Sequence, residues 1–386
     1  MLRDLVASHD ICSLPWLHTE IDLQSNTVKP CCKYKIPAGN ISDTFSAVWF
    51  NQLADLRKNF VNNIPVTECS ACAVADDTFS YKKWKNKTYA ILGFLNLDET
   101  KVELPRVFHI KLKNTCNLAC RMCWPGNSST FEQLTKKSDV LTKLYALSVP
   151  STIDIESLQG SFSNARHITI TGGEPLIDAD CVRLIEMVQA ESSELKTINF
   201  SSNFVKLNYP LLKALSKLNA QVQFSISLDG PPDIHEYIRV GCKWANIIKN
   251  INFVRSTYPR FKFAINSTIS ALNVGYVVEM LTVFHDLEAE LNIKFTGHMT
   301  SPVLTPEYLH PAVIPNDVKS LYLEKLKSAD PDKFTIPNSK IMIPTAVALL
   351  NTQSDKLANF NTFVRAFDKA AGTDINLTYP EFKGKL

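Results

Sequence analysis

Three cysteines fall close together in Cys116-Asn117-Leu118-Ala119-Cys120-Arg121-Met122-Cys123, with the spacing C-x3-C-x2-C. Thiolates so spaced can ligate three irons of a [4Fe–4S] cluster and leave the fourth iron open. A structural zinc site wants four closed ligands. This loop offers three, and His109, the nearby fourth donor, lies back along the preceding strand. The chain has 10 cysteines in all. Cys12, Cys31, Cys32, Cys69 and Cys72 precede residue 100, and Cys69-Ser70-Ala71-Cys72 has metal-ligand spacing. Cys181 and Cys242 stand alone and read as buried apolar residues.

Composition narrows the setting. The 386 residues are 45% hydrophobic and 20% charged, enough apolar surface for a sizeable core and against global disorder. Net charge is +3, which does not support a nucleic-acid or membrane-surface protein. The first sixteen residues contain Arg3, Asp4, His9 and Asp10, so no signal peptide is visible, and no apolar run approaches a membrane span. A cytoplasmic location is expected. There, clustered thiols stay reduced and hold metal or do redox chemistry.

The elements that must position these groups alternate. Short runs around Phe108–Leu112, Ile168–Ile170, Ile198–Phe200, Val222–Leu228, Phe261–Ile265 and Ile293–Phe295 read as strands. Helical apolar spacing intervenes, as in Cys181, Leu184, Ile185 and Val188, and in Val274, Val277, Val278 and Leu281. Six repeats of strand and helix predict a parallel α/β sheet or barrel. Strands buried on both faces read as continuous apolar runs. These alternate, with Lys111, Thr169, Thr171, Asn199, Ser201, Ser225 and Ser227 opposite the apolar positions. That pattern suits a ring of strands with a polar ligand inside, or a sheet with one solvated face. The cysteine loop follows the first strand, at the end where barrel active sites form.

The second strand leads into Thr171-Gly172-Gly173-Glu174-Pro175. With the cysteine loop before it, the sequence resembles the radical S-adenosylmethionine (radical SAM) superfamily over about residues 105–297. The resemblance implies a partial (β/α)6 TIM-type barrel, with Cys116, Cys120 and Cys123 ligating a [4Fe–4S] cluster whose open iron binds S-adenosylmethionine. It implies that Gly172 and Gly173 let the backbone approach the ligand, that Glu174 accepts its ammonium group, and that Pro175 and Met122 border it. Ser201 and Asn203 resemble the ribose-contacting segment, with Phe204 standing where many members have glycine. Ser227 and Arg239 resemble the groups that hold the methionyl carboxylate. The chemistry implied is reductive cleavage of S-adenosylmethionine to a 5′-deoxyadenosyl radical that abstracts hydrogen from a substrate. An electron donor such as flavodoxin or ferredoxin is implied with it.

Residues 1–95 are irregular, with a small hairpin over Ile21–Val28 and a helix over Phe45–Val61. A region so small is expected to be held together by its cysteines. It resembles the SPASM/Twitch auxiliary-cluster modules of radical SAM enzymes, here placed before the core. The resemblance implies one auxiliary [4Fe–4S] cluster on Cys12, Cys31, Cys69 and Cys72, with Cys32 competing with Cys31. Four-cysteine zinc fits the same spacing. The organisation expected is thus an Fe–S module over 1–95, a core over 96–297 and a mainly helical C-terminal appendage over 298–386. A peptide or protein side chain is the expected substrate. A small molecule such as a sugar, nucleoside or amino acid, or a non-catalytic Fe–S or zinc binding role, are the alternatives. Lys111 and Lys113 would touch an anionic substrate or sit in salt bridges. The run Lys82-Lys83-Trp84-Lys85-Asn86-Lys87 would dock a leader peptide or redox protein, or face solvent.

Overall fold

In the computed structural model, which describes residues 1–9, 11–41, 44–73, 81–98, 100–145 and 153–386, the alternating segments do form strands. They are β1 (His18–Asp22), β2 (Thr27–Lys29), β3 (Val107–Lys111), β4 (Ala119–Cys120), β5 (His167–Thr171), β6 (Thr197–Ser202), β7 (Gln221–Ser227), β8 (Arg239–Val240), β9 (Lys262–Ile269) and β10 (Phe295–Pro302). Eight make one sheet in the order β10-β9-β7-β6-β5-β3-β1-β2. Every pairing in it is parallel except β1 with β2. β4 and β8 form a separate two-residue ladder.

Helices fill the crossovers: α2 (Asp180–Glu191) after β5, α3 (Tyr209–Ser216) after β6, α4 (Pro232–Ile238) and α5 (Trp244–Thr257) after β7, and α6 (Val277–Glu290) after β9. Parallel strands need such crossovers. Phe108, Ile110, Ile168, Ile170, Ile198 and Phe200 are buried, in one core with Leu184, Ile185 and Val188 of α2. The intervening Thr169, Thr171, Asn199 and Ser201 are half-buried on the opposite, polar face.

Two placements differ from the sequence reading. The last strand is Phe295–Pro302, not Ile293–Phe295. Its Phe-Thr-Gly-His-Met-Thr-Ser-Pro sequence buries few side chains because it is an edge strand, so it lacks the apolar alternation that marks the others. The N-terminal hairpin also joins the main sheet, with β1 lying parallel to β3 from His18↔Val107 to Asp22↔Lys111. A second, smaller core of Leu2, Ile11, Leu14, Trp16, Leu17, Cys31, Tyr89, Phe94 and Leu95 lies under the rest of the N-terminal region, including α1 (Tyr81–Ile91). Beyond β10 come α7 (Asn316–Ser328), α8 (Met342–Leu350) and α9 (Leu357–Ala371), whose apolar faces belong to the main core. Among the described residues no helix is long and apolar enough to cross a membrane.

Candidate functional site

The cysteine loop leaves β3 at the C-terminal edge of the sheet. Cys116, Cys120 and Cys123 all line one cavity of about 210 Å³, and Met122 lies beside them. Cys120 is fixed by the β4–β8 ladder, which sets it directly opposite Arg239. Thr130 Oγ1 donates to the Cys116 carbonyl at 2.6 Å, and Ser128 Oγ to that of Leu118 at 2.6 Å. The loop is therefore shaped by protein hydrogen bonds.

The Gly-Gly-Glu turn packs on this loop. Gly172 has φ +129°, and a Cβ at Gly173 would stand 2.2 Å from the Thr115 carbonyl oxygen. Gly173 N donates to Lys113 O at 3.0 Å, and Glu174 N to Thr115 O at 2.8 Å. The glycines thus serve close approach between two loops as well as lining the cavity. Glu174 is buried. Its carboxylate accepts from Leu176 N (3.0 Å), Ser202 Oγ (2.7 Å) and Asn203 N (2.6 Å). Three of roughly four lone-pair positions are taken, which leaves about one for a ligand's ammonium. Burial pushes its carboxyl up to about 7 despite those donors. Pro175 is buried and is absent from the cavity lining.

The ends of β6 and β7 and the start of β8 supply the remaining wall, with Ser201, Asn203, Ser227 and Arg239 all lining the same cavity. Asn203 Nδ2 donates to Asn117 Oδ1 at 3.0 Å, tying the end of β6 to the cysteine loop. Phe204 follows with φ +58°, fully buried against Phe224 and Phe263. Left-handed backbone there explains why glycine suits this position and what Phe204 costs. Arg239 Nε donates to the buried Asp229 Oδ2 at 2.6 Å, and its Nη1 lies 3.6 Å from Cys120 Sγ. Two of five guanidinium N–H groups are so used, which leaves others for an anion in the cavity.

Burial raises all three thiols: Cys123 is pushed up to about 12, and Cys116 and Cys120 also rise. One buried and two half-buried thiols with few compensating charges suit a site completed by a cationic metal cluster. No three His, Cys, Asp or Glu side chains among the described residues are grouped to hold a single metal ion. Three thiols lining one cavity match a cluster held through three irons with the fourth left open. His109 does not join them. Its Nε2 contacts Thr171 Oγ1 at 2.9 Å and its Nδ1 faces Glu20 at 3.2 Å, across β5, β3 and β1.

The N-terminal cysteines form a second site. Cys12, Cys31, Cys69 and Cys72 line one cavity of about 270 Å³ with Ile11, Phe60 and Ile64. Cys12 interacts electrostatically with the other three thiols. Burial raises Cys12, pushes Cys31 up to about 12, and pushes Cys69 up to about 11. Cys32 is exposed and outside the lining. Asn86 of α1 grips the chain on both sides of Cys12: its Oδ1 accepts from Ser13 N at 2.9 Å and Oγ at 2.7 Å, and its Nδ2 donates to Ile11 O at 2.7 Å. Four thiols in an apolar cavity fit a metal cluster.

Several of the contacts named here have no local sequence signal. Asp229 holds Arg239, and Asn86, within the lysine-rich run 82–87, holds the chain around Cys12. In that run, Lys85 Nζ sits 4.6 Å from the centre of a Trp84 ring. Arg121, within the cysteine loop, is fully buried and paired with Asp368 at 2.6 Å. Lys111 pairs with Asp22 at 2.7 Å and Lys113 with Asp180 at 2.8 Å, so both lysines sit in salt bridges.

Residues 110–271 match the radical SAM superfamily. Molybdenum cofactor biosynthesis protein 1 of Bos taurus is 32% identical over 120 residues, covering 31% of this chain and 17% of that protein. A GTP 3′,8-cyclase of Rhodopirellula baltica is 34% identical over 97 residues, covering 24% of this chain and 23% of that protein. The chain thus spans less than a quarter of the length of these curated relatives. Among solved structures, anSMEcpe with bound AdoMet has a TM-score of 0.39 at 17% identity, covering 60% of this chain and 61% of its own. Streptococcus suis SuiB bound to S-adenosylmethionine has a TM-score of 0.35 at 14% identity, covering 67% and 52%. Residues 110–271 thus carry a radical SAM domain.

Proposed function

We propose, from the radical SAM domain over residues 110–271, that this protein cleaves S-adenosylmethionine reductively and uses the resulting radical to take hydrogen from a substrate. The observation that carries the reading is one cavity lined by Cys116, Cys120 and Cys123 on one side and by Gly173, Glu174, Ser227 and Arg239 on the other. A [4Fe–4S] cluster on the three thiols would supply the electron and an open iron for the ligand. The chain's residues do the rest. Glu174 offers its remaining lone pair to an ammonium, and Arg239 and Ser227 meet a carboxylate. Ser201 and Asn203 face the ribose. Gly172 and Gly173 admit the backbone close to the ligand, and Met122 borders it. The fold this reading requires is the superfamily's partial barrel, with the polar face of the sheet inside. A flavodoxin- or ferredoxin-type donor would supply the electron.

The N-terminal set extends the proposal. Cys12, Cys31, Cys69 and Cys72 would hold one auxiliary [4Fe–4S] cluster in a SPASM/Twitch-like module, and the exposure of Cys32 favours Cys31 as the ligand. A peptide or protein side chain is the substrate that such a module suits. The likeness to a GTP 3′,8-cyclase favours a second reading, a nucleotide or other small molecule.

Anaerobic reconstitution followed by iron and sulfide counting tests both sites. About eight irons per chain, and 5′-deoxyadenosine on adding dithionite and S-adenosylmethionine, are expected. Cys116→Ala, Cys120→Ala and Cys123→Ala should each abolish cleavage. Cys69→Ala should lose about four irons while sparing part of the cleavage. Cleavage that survives replacement of all three loop cysteines would refute the assignment. Bound zinc in place of half the iron would make the N-terminal site structural. Stimulation of 5′-deoxyadenosine formation by GTP, and not by peptides, would select the second substrate reading.

A further inference from the structure

Arg121 sits in the cysteine loop next to Cys120, yet its side chain turns away from the cavity and is fully buried. Its guanidinium lies over the rings of Tyr237, at 3.8 Å, and Phe367, at 4.5 Å. Nε donates to Tyr237 O at 2.9 Å, and Nη2 to Asp368 Oδ1 at 2.6 Å and Thr373 Oγ1 at 2.7 Å. The Arg121 backbone N–H donates to Ile238 O at 2.9 Å. Asp368, on α9, also accepts from Tyr237 Oη at 3.1 Å, Thr373 Oγ1 at 2.6 Å and Ile375 N at 2.8 Å. One charge pair therefore joins the cysteine loop, the segment leading into Arg239, and the C-terminal helix.

A pair this buried is weak evidence for stability, because apolar residues of the same volume are often as stable. Its position points elsewhere. Arg121 is bonded to the residue beside it, Cys120, and grips the two residues before Arg239, which itself reaches Cys120. We infer that Arg121 and Asp368 are positioning residues for the loop cluster: they fix Cys120 and Arg239 together, and Asp368 cancels a positive charge that would otherwise act on the cluster. The inference rests on the reading that the loop holds a [4Fe–4S] cluster.

The electrostatic sign is definite. An uncancelled positive charge near a low-dielectric site favours the more negative, reduced cluster and raises its potential. A higher potential weakens the cluster as a reductant of the sulfonium. Removing Arg121 instead leaves a negative charge and lowers the potential.

The test is a dithionite redox titration of the full-length, reconstituted protein, following the electron paramagnetic resonance signal that changes when S-adenosylmethionine is added. Asp368→Asn is expected to shift that midpoint upward and slow 5′-deoxyadenosine formation several-fold. Arg121→Gln is expected to shift it downward. Asp368→Glu, which keeps the charge, should restore the wild-type potential. Tyr237→Phe, which removes only a hydroxyl, should leave it unmoved. A pair that merely staples the fold would lower the melting temperature in both charge variants without opposed shifts, and that result overturns the inference. If Asp368→Asn does not fold, Arg121→Gln decides alone, an unshifted midpoint refuting it. A wild-type protein with no signal responsive to S-adenosylmethionine would remove the cluster reading and the inference with it. A responsive signal with unshifted variants removes the inference only.

Discussion

Gly173→Ala isolates what the Gly-Gly-Glu turn does. The new Cβ would stand 2.2 Å from Thr115 O and 2.7 Å from Thr115 C. Both are backbone atoms, so no side-chain rotation relieves the contact. The two loops must part by roughly 1 Å, and a misplacement of that size is worth about 10²-fold in rate where reacting groups are held in register. Separation also strains the bonds Gly173 N–Lys113 O and Glu174 N–Thr115 O. At about 0.5–1.5 kcal/mol each, they put the stability loss near 1–3 kcal/mol. Gly160 provides the comparison: its φ is +81°, but nothing lies within 4 Å of its Cβ position. Gly160→Ala should cost only backbone strain of about 1–2 kcal/mol and leave the rate alone. The assays are thermal melts by circular dichroism and 5′-deoxyadenosine formation under dithionite. A Gly173→Ala enzyme that turns over at the wild-type rate would refute the packing argument, since the lock between the two motifs would then be dispensable.

Two further outcomes follow from buried side chains. His298 donates from Nε2 to Ser267 Oγ, whose own proton goes to Leu228 O, and burial pushes the imidazole down to about 4. A histidine depressed from 6.5 adds no pH dependence above that value, but as the pH falls from about 6.5 toward 4 only the unfolded chain takes the proton. Stability should drop by about 2 kcal/mol at pH 5 from this group, and His298→Gln should flatten the melting-temperature difference between pH 7.5 and pH 5. At Phe204, truncation leaves a cavity costing about 3–5 kcal/mol, while glycine also relieves the left-handed backbone. Denaturant melts should find Phe204→Gly at least as stable as Phe204→Ala, the reverse of the usual order. Alanine proving clearly the more stable would contradict the strain at φ +58°.

Much of the fold was legible because its signals are local. Phe108, Ile110, Ile168 and Ile170 alternate with polar residues over a few positions, and that alternation is the strand. β10 escaped because an edge strand buries few side chains, and its exposed Thr296, Met299 and Ser301 leave no apolar alternation to read. The hairpin was readable as Ile21–Val28, but its pairing with β3 was not. Strand partners are chosen by packing across the whole chain, and no residue in His18–Asp22 names Val107–Lys111 as its neighbour.

The same division runs through the site. Sequence alone determined the identity and spacing of Cys116, Cys120 and Cys123, the Gly-Gly-Glu turn, and the polar wall of Ser201, Asn203 and Ser227, because each lies within one loop or strand end. It left Cys31 and Cys32 equal, since adjacent residues share every local property, and only tertiary packing turns Cys31 into the cavity and Cys32 out to solvent. The tertiary structure likewise decided that Asn86 grips the chain around Cys12, that Asp229 aims Arg239, and that Asp368 pairs with Arg121 from 247 positions away. Ligand spacing is fixed by covalent geometry over a few bonds. A buried charge's partner is fixed by whichever distant element the core brings against it, and desolvation makes that pairing obligatory only once the chain has closed around it.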